Sequence, residues 1–532
     1  MKLVKLRRLA LGMGMLIILG GCSSGSKGTS PVEEKETVTL TVFDKNSGSK
    51  IFDDPVAKKI MEETGVTIEL ENPTGNPEEK QNLMLSEQNY PDIILIEQGE
   101  VLTRYIEAGA LLPLDDLLEE KCPNVIKMYG DILQKSKYTD GHNYWLSNWY
   151  GEDTEPAAGV LMRKDYLADI VGEERAGSTE PFTQSEYMGI LRSFKERHPE
   201  INGAESIALS IASDSNFTGS FASLKAMFGM KTYYEPGDGT LQYWARDPQY
   251  LESMLFLNEL YNEGILDKEW VVNREETLRQ KMCSGRVFSS FGAYWDVDGV
   301  NRELAAREGQ EAQFYCYKVV ADDLEEDQTT YSGRSSLGWD AIGITDHCRN
   351  IDAALRLIDY LASEEGQYLM LWGIEGEDWT MEDGKHVPDP EVLDELIRDF
   401  DVTSDKTGIR KWTWFVKNGN GSDGTPYDLV TKYEMSDTAQ FANSAFDESD
   451  CWDIAEYSGL EPAGNTILGL QWQNVADIMR QDYARIINAQ SREEAVRVYE
   501  NMIEAMDNSG LKDCEEYITE QYQERLELWG QK

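Results

Sequence analysis

The chain has 532 residues, and 97 Asp and Glu against 50 Lys and Arg give it a formal net charge of −47. Binding a phosphate backbone needs a basic face, so this balance excludes a nucleic-acid partner, and the surplus acid reads as a solvated surface. A hydrophobic fraction of 41% with 10% aromatic residues marks a folded globular protein, and the length exceeds what one core supports, so two or more lobes are expected.

Lys2, Lys5, Arg7 and Arg8 precede an apolar run from Leu9 to Leu19, followed by Gly20, Gly21 and Cys22. That order is a secretory signal, and the run falls short of the roughly 20 apolar residues of a spanning helix. Leu19-Gly20-Gly21-Cys22 resembles the lipobox of bacterial lipoproteins. The resemblance implies cleavage before Cys22 and lipidation of its sulfur by diacylglyceryl, with palmitate-type chains. Two or more acyl chains hold a protein stably to a bilayer, so the expected location is the extracytoplasmic face of the cell membrane. Residues 1–21 are then the signal and 22–36 a Ser-, Gly- and Glu-rich tether. No second long apolar stretch follows.

Six further cysteines, Cys122, Cys283, Cys316, Cys348, Cys451 and Cys514, lie at wide, irregular spacings without a CxxC pair. Metal clusters and redox motifs are not expected, and bridges and buried thiols remain equally open.

The fold is expected to begin near Thr37. Val38, Leu40 and Val42 alternate with threonines as a strand does. Asp54 as N-cap and Pro55 at the first helical position start a helix that Gly65 ends. Val66 to Leu70 is a second strand, Glu78 to Glu87 a helix, and Asp92 to Ile96 a short apolar run typical of a strand covered on both faces. Strand and helix in alternation mean an α/β lobe. Ligands of such sheets bind at the carboxyl ends of the strands, here Asp44 to Ser49 and Glu97 to Glu100.

Gly109-Ala110-Leu111-Leu112-Pro113-Leu114-Asp115-Asp116-Leu117-Leu118 follows. With the strand and polar loop before it, this segment resembles the solute-binding lipoproteins of carbohydrate ABC importers. Leu161 to Leu167 (LMRKDYL), Pro181-Phe182-Thr183 with Glu186, Phe194 to Arg197 (FKER), and Ser363 to Gly366 with Trp372 to Gly376 are similar to that family's segments in the same order. Thr183 and Glu186 also form a capping box on their own merits. The resemblance implies a periplasmic-binding-protein-like fold, two hinge-linked α/β lobes with a helical C-terminal region. Lobe 1 is expected in 37–155, lobe 2 in 156–340, a return to lobe 1 in 341–400, and a mixed segment with C-terminal helices in 401–532. Ser253 to Glu263, Arg274 to Ser284, Trp472 to Ala489, Arg492 to Asn508 and Leu511 to Trp529 read as helices, Arg286 to Phe291 as a strand, and Gly376 to Gln471 as polar and irregular.

No GxSxG elbow, GxxxxGK loop or HExxH helix occurs. His142, His198, His347 and His386 are scattered and read as surface residues. Some relatives carry an EF-hand-like loop after the FKE helix. The matching stretch, His198 to Ser206, offers only Glu200, Asn202 and Glu205, short of the six to eight oxygens calcium takes. Asp296-Val297-Asp298-Gly299 opens like a calcium loop, but its twelfth position is Arg307. No cofactor or metal is expected.

Sugars are held by aromatic faces stacked on C–H surfaces, with carboxylates, amides and guanidinium groups on the hydroxyls. Trp295 with Asp296 follows a strand, and Trp339 with Asp340 precedes one. Trp145 and Trp149 lie before the entry to lobe 2, and Arg334 lies just ahead of Trp339. Asp44, Asn46 and Gln98 follow from the strand-end rule alone. These ten residues are the expected ligand contacts, and no catalytic residue is expected. The reading is a lipid-anchored, monomeric binding component of an ABC importer, capturing an oligosaccharide for the permease subunits. A lipid-anchored glycoside hydrolase, with two carboxylates across a cleft, and a peptide- or polyanion-binding protein of the same fold are the alternatives.

Overall fold

Alternation of side chains along the first strands builds two apolar layers at once. In the computed structural model, β1 (Val38–Asp44) turns Leu40 and Val42 to one face and Phe43 to the other. In β3 (Ile93–Glu97), Ile93 and Leu95 share the first face, Ile94 and Ile96 the second. Both layers are buried, which is why this stretch is apolar without interruption. The structure describes residues 37–531, apart from 47–50, 72–74, 149–154, 214–217 and parts of 423–435. Cys22, the signal, the tether, Trp149 and Tyr150 lie outside the described residues.

Helix α1 (Pro55–Thr64) starts as its sequence demands. Asp54 Oδ1 accepts from Ala57 N at 2.8 Å, and Gly65, at φ 69°, closes it with an N–H to Met61 O. Strand β2 (Val66–Glu71) follows, then α2 (Pro77–Glu87), β3 and α3 (Glu100–Glu107). A two-residue strand β4 (Leu146–Ser147) ends this part of the chain. The second sheet is made of β5 (Val160–Arg163), β6 (Ile207–Leu209), β7 (Val287–Phe291) and β8 (Phe314–Tyr317), in the order β8-β5-β7-β6. After β9 (Ser332–Arg334) the chain returns as β10 (Asp340–Ile344) to complete the first sheet, order β2-β1-β3-β10-β4. Strands β1, β2 and β3 are parallel, whereas β10 runs antiparallel to β3 and β4, so the sheet is mixed. Two α/β lobes result. The returning segment is joined by a later one, where β9 pairs in parallel with β11 (Cys451–Asp453).

The capping box is present: Glu186 N donates to Thr183 Oγ1 at 3.1 Å and Thr183 N to Glu186 Oε2 at 2.9 Å. The three C-terminal helices, Ile467–Ile487, Arg492–Asn508 and Leu511–Leu528, place Val475, Met479, Ile486, Met502 and Met506 in the core of the second lobe. Buried Asn258 fixes the end of the first of them, its Nδ2 donating to the carbonyls of Ile487 at 2.9 Å and Ala489 at 2.7 Å.

The expectation of an irregular stretch from Gly376 to Gln471 needs correction. It holds a hairpin, Trp379–Glu382 with Lys385–Pro388, and helices Pro390–Arg398, Phe400–Thr407 and Asp437–Ala445. Each element is short and hides few side chains, so no period emerges, yet Trp379, Trp412 and Phe415 are buried in the first lobe. His386 is half-buried rather than a surface residue, stacked on Tyr368 with ring centroids 3.4 Å apart. Among the described residues no two cysteines are bonded to each other.

The segment aligned with the calcium loop is a hairpin. Glu200–Ile201 pairs with Ala204–Glu205 around Asn202 (φ 53°) and Gly203 (φ 76°), the positive pair that a two-residue hairpin turn requires. Lys195 Nζ donates to Glu205 Oε1 at 2.9 Å and to Ser206 O at 2.7 Å. An ammonium already neutralises this carboxylate, so the residues present do not fit a calcium ion.

Candidate functional site

Antiparallel return is what assembles the site. Because β10 begins where β3 ends, Asp340 is the register partner of Glu97 and lands at the carboxyl edge of the first lobe. Its side chain is fully buried and accepts from Asn46 Nδ2 and, at 3.2 Å, from Asn148 Nδ2. Lys45 Nζ lies 3.1 Å from Asp340 Oδ1 and 3.2 Å from Glu97 Oε2. Burial pushes the Asp340 carboxyl above its ordinary range, while Lys45 and Asn46 oppose that rise. Burial would lower the Lys45 ammonium, but the Asp340 and Glu97 carboxylates outweigh it and hold it above its usual value.

Backbone contacts fix the same corner. Asp44 is buried and its Oδ1 accepts from Asn46 N at 2.8 Å, folding the loop after β1 back on itself. Gln98 donates from its backbone to Trp339 O at 3.2 Å and from Nε2 to Leu337 O at 2.6 Å. Asn148 Oδ1 accepts from Asp340 N at 2.8 Å and Trp339 N at 3.2 Å. Between them, Gly338 has φ 62°, and a Cβ there would stand 1.4 Å from Asn148 O. Only glycine allows this approach. Beside the corner opens a cavity of about 420 Å³, bounded by Lys45, Asn46, Glu97 and Gln98 and by the first turns of α2 and α3.

A second group lies where the crossing segments meet the second lobe. Trp295 is 40% exposed, on the turn Tyr294–Val297 just after β7. The Arg334 guanidinium carbon stands 5.8 Å from its ring centroid, within cation–π range. Arg334 Nη2 donates to Glu155 Oε2 at 2.8 Å and to Glu155 O at 2.9 Å, and Tyr294 Oη donates to Glu155 Oε1 at 2.5 Å. Glu155 thus ties the outgoing segment to the returning one and to the second lobe.

The structure therefore brings Asp44, Asn46, Gln98, Trp339 and Asp340 together and sets Trp295 near Arg334. Trp145 needs correction. It is 6% exposed and belongs to the buried cluster that holds Phe43, Ile96 and Ala341, the second layer of the first lobe, so little of its ring is left for a ligand. Asp296 serves its own turn, Oδ2 accepting from Ala293 N at 2.8 Å. Trp339 is half-buried and meets Trp414 edge-on at 5.3 Å between centroids. Three residues that the sequence reading passed over complete the site: Lys45, Asn148 and Glu155. Lys45 had a usable signal, since it lies between Asp44 and Asn46 in a loop already marked by the strand-end rule. Asn148 and Glu155 had none beyond their place in an aromatic-rich segment.

Two α/β lobes, joined by segments that carry Arg334 and Glu155, and a polar edge built of amides and carboxylates define a two-lobed ligand-binding protein. The chain belongs to the bacterial extracellular solute-binding proteins, whose family model matches residues 45–368. It is 26% identical over 396 residues to the fructooligosaccharide ABC transporter substrate-binding protein FusA of Streptococcus pneumoniae serotype 4, covering 68% of this chain and 70% of that protein. It is 21% identical over 382 residues to lipoprotein LipO of Bacillus subtilis, with 69% and 72% covered. Among solved structures, an HMO-binding, ABC-transporter-associated solute-binding protein from Bifidobacterium longum infantis superposes with a TM-score of 0.66 at 18% identity, covering 91% of this chain and 98% of that one.

Proposed function

We propose that this protein captures an oligosaccharide between its lobes and presents it to the permease subunits of an ABC importer, held at the membrane by lipid on Cys22. The observation that carries the reading is the edge where Lys45, Asn46, Glu97 and Gln98 border a polar cavity at the strand ends, with buried Asp340 holding Lys45 and Asn46 from behind. Amides and carboxylates suit sugar hydroxyls, and an exposed indole face suits a pyranose or furanose C–H surface. FusA, by its name a fructooligosaccharide binder, supports the ligand class, and LipO, a lipoprotein, supports the anchor.

Binding would bridge the lobes and favour the closed form, which the permease reads. Arg334 and Glu155 sit on the returning and outgoing segments, and their contact ties the two together. The carboxylates of the site are held by Lys45, Arg334 and backbone donors in the role of recognition, and the bound sugar leaves unchanged. Thermal-shift screening of the mature protein against glycans and peptides tests this. Ligand at 100 times its Kd adds about 2.7 kcal/mol to stability. A raised melting temperature with a glycan, recovered intact, is the expected result. Shifts with peptides alone would overturn the ligand class, and cleavage of the glycan would overturn the binding role.

A further inference from the structure

We infer that the ligand is an uncharged glycan and that oligosaccharides bearing uronic acids are rejected, an inference that rests on the carbohydrate reading above. Among the described site residues the cations are Lys45 and Arg334, and each already serves carboxylates of the protein. Lys45 is shared by Asp340 and Glu97 at 3.1 and 3.2 Å. Arg334 makes three contacts to Glu155, two through Nη2 and one from Nε to the carbonyl at 3.1 Å.

Recruiting either cation to a carboxylated sugar would strip a partner from a protein carboxylate. Asp340 is fully buried, and a buried charge left uncompensated is strongly unfavourable. Nor would the surroundings help. The cavity beside the site is lined by Glu78, Glu97 and Glu100 against Lys45 as its cation, so a uronate entering it meets like charge at short range. The amides there differ: Asn46 and Gln98 are held through their NH2 groups and Asn76 through its oxygen, and the opposite end of each amide can meet a neutral hydroxyl without stripping a partner from a buried charge. The acidity of the whole chain, −47, adds long-range repulsion of anions.

An array carrying neutral oligosaccharides alongside galacturonate, glucuronate and mannuronate oligomers, read with the purified mature protein at low salt, tests the inference. Binding of neutral glycans is expected, with uronate-bearing glycans of equal length on the order of 100-fold weaker or silent, given that like-charge juxtaposition costs several kcal/mol. A uronate oligomer bound as tightly as the best neutral one overturns the inference while leaving the carbohydrate reading intact. An array on which no glycan binds, with peptides shifting the melting temperature, overturns both.

Discussion

Glu97 and Asp340 face each other in register across β3 and β10, and Lys45 holds both carboxylates with one ammonium. The two are unequal. Asp340 is fully buried, and the Glu97 side chain is 72% exposed. Replacing Lys45 by Met should therefore cost about 3 kcal/mol, the low end of the roughly 3–5 kcal/mol for breaking a buried pair. Glu97→Gln should cost less than about 1 kcal/mol, as for a solvent-screened partner. Denaturant midpoints of the two variants check the contrast; equal losses would mean that Asp340 does not depend on Lys45.

Asp453 couples crossing segments to pH. Burial alone would raise its carboxyl, but the N–H groups of Ser336 and Ala455 and the Lys135 ammonium hold it below its usual value. A carboxyl lowered in the fold binds fewer protons there than in the unfolded chain, so its stabilisation is present above the unfolded value near pH 4 and is lost as pH falls through the folded one. Asp340, raised in the fold, has the opposite sign: it binds more protons folded than unfolded, so its contribution falls as pH rises from the unfolded value near 4 through the raised folded one, above the window of Asp453. Asp453→Asn should lower stability at pH 7 and flatten its decline below pH 4, read by melting temperature across pH 2.5 to 7.

Calcium should be irrelevant to the hairpin at Glu200 to Glu205. Chelation by EDTA is expected to leave the melting temperature unchanged. Lys195→Ala, which removes the donor to Glu205 and Ser206, should cost about 1 kcal/mol, and added calcium should not restore it. A melting temperature that drops with EDTA would restore a metal role to this segment.

Trp145 and Trp295 should separate stability from affinity. Trp145→Ala empties a core position and is expected to cost about 3–5 kcal/mol. Trp295→Ala removes a ring that is 40% exposed and should cost about 1 kcal/mol of stability, the contact with Arg334 included, while weakening glycan binding by roughly 2 kcal/mol as an aromatic anchor does. Calorimetric titration of Trp295→Ala with the array's best glycan decides whether that ring touches ligand.

Cys22→Ala should release the protein from the membrane fraction, or leave it unprocessed, without changing the glycan affinity of the folded part. Fractionation and binding on the same preparation check both halves. An affinity change would mean that the tether reaches the binding site.

Local chemistry decided much of the fold in advance. Asp54 with Pro55, Thr183 with Glu186 and the alternation in Val38 to Val42 act within a few residues, so a linear reading finds them. The strand-end loops at Asp44 and Glu97 followed from the same local pattern, as did the family's motifs. The wiring of the site was beyond such a reading. Asn46 and Asn148 meet Asp340 across 294 and 192 positions, and Arg334 meets Glu155 across 179. Nothing in a run of letters tells whether a loop lysine is solvated or clamped between two carboxylates, or whether a tryptophan lies at the surface or in the core. Burial and charge pairing at Asp340 arise only because β10 returns antiparallel beside β3, and that direction belongs to the packed sheet.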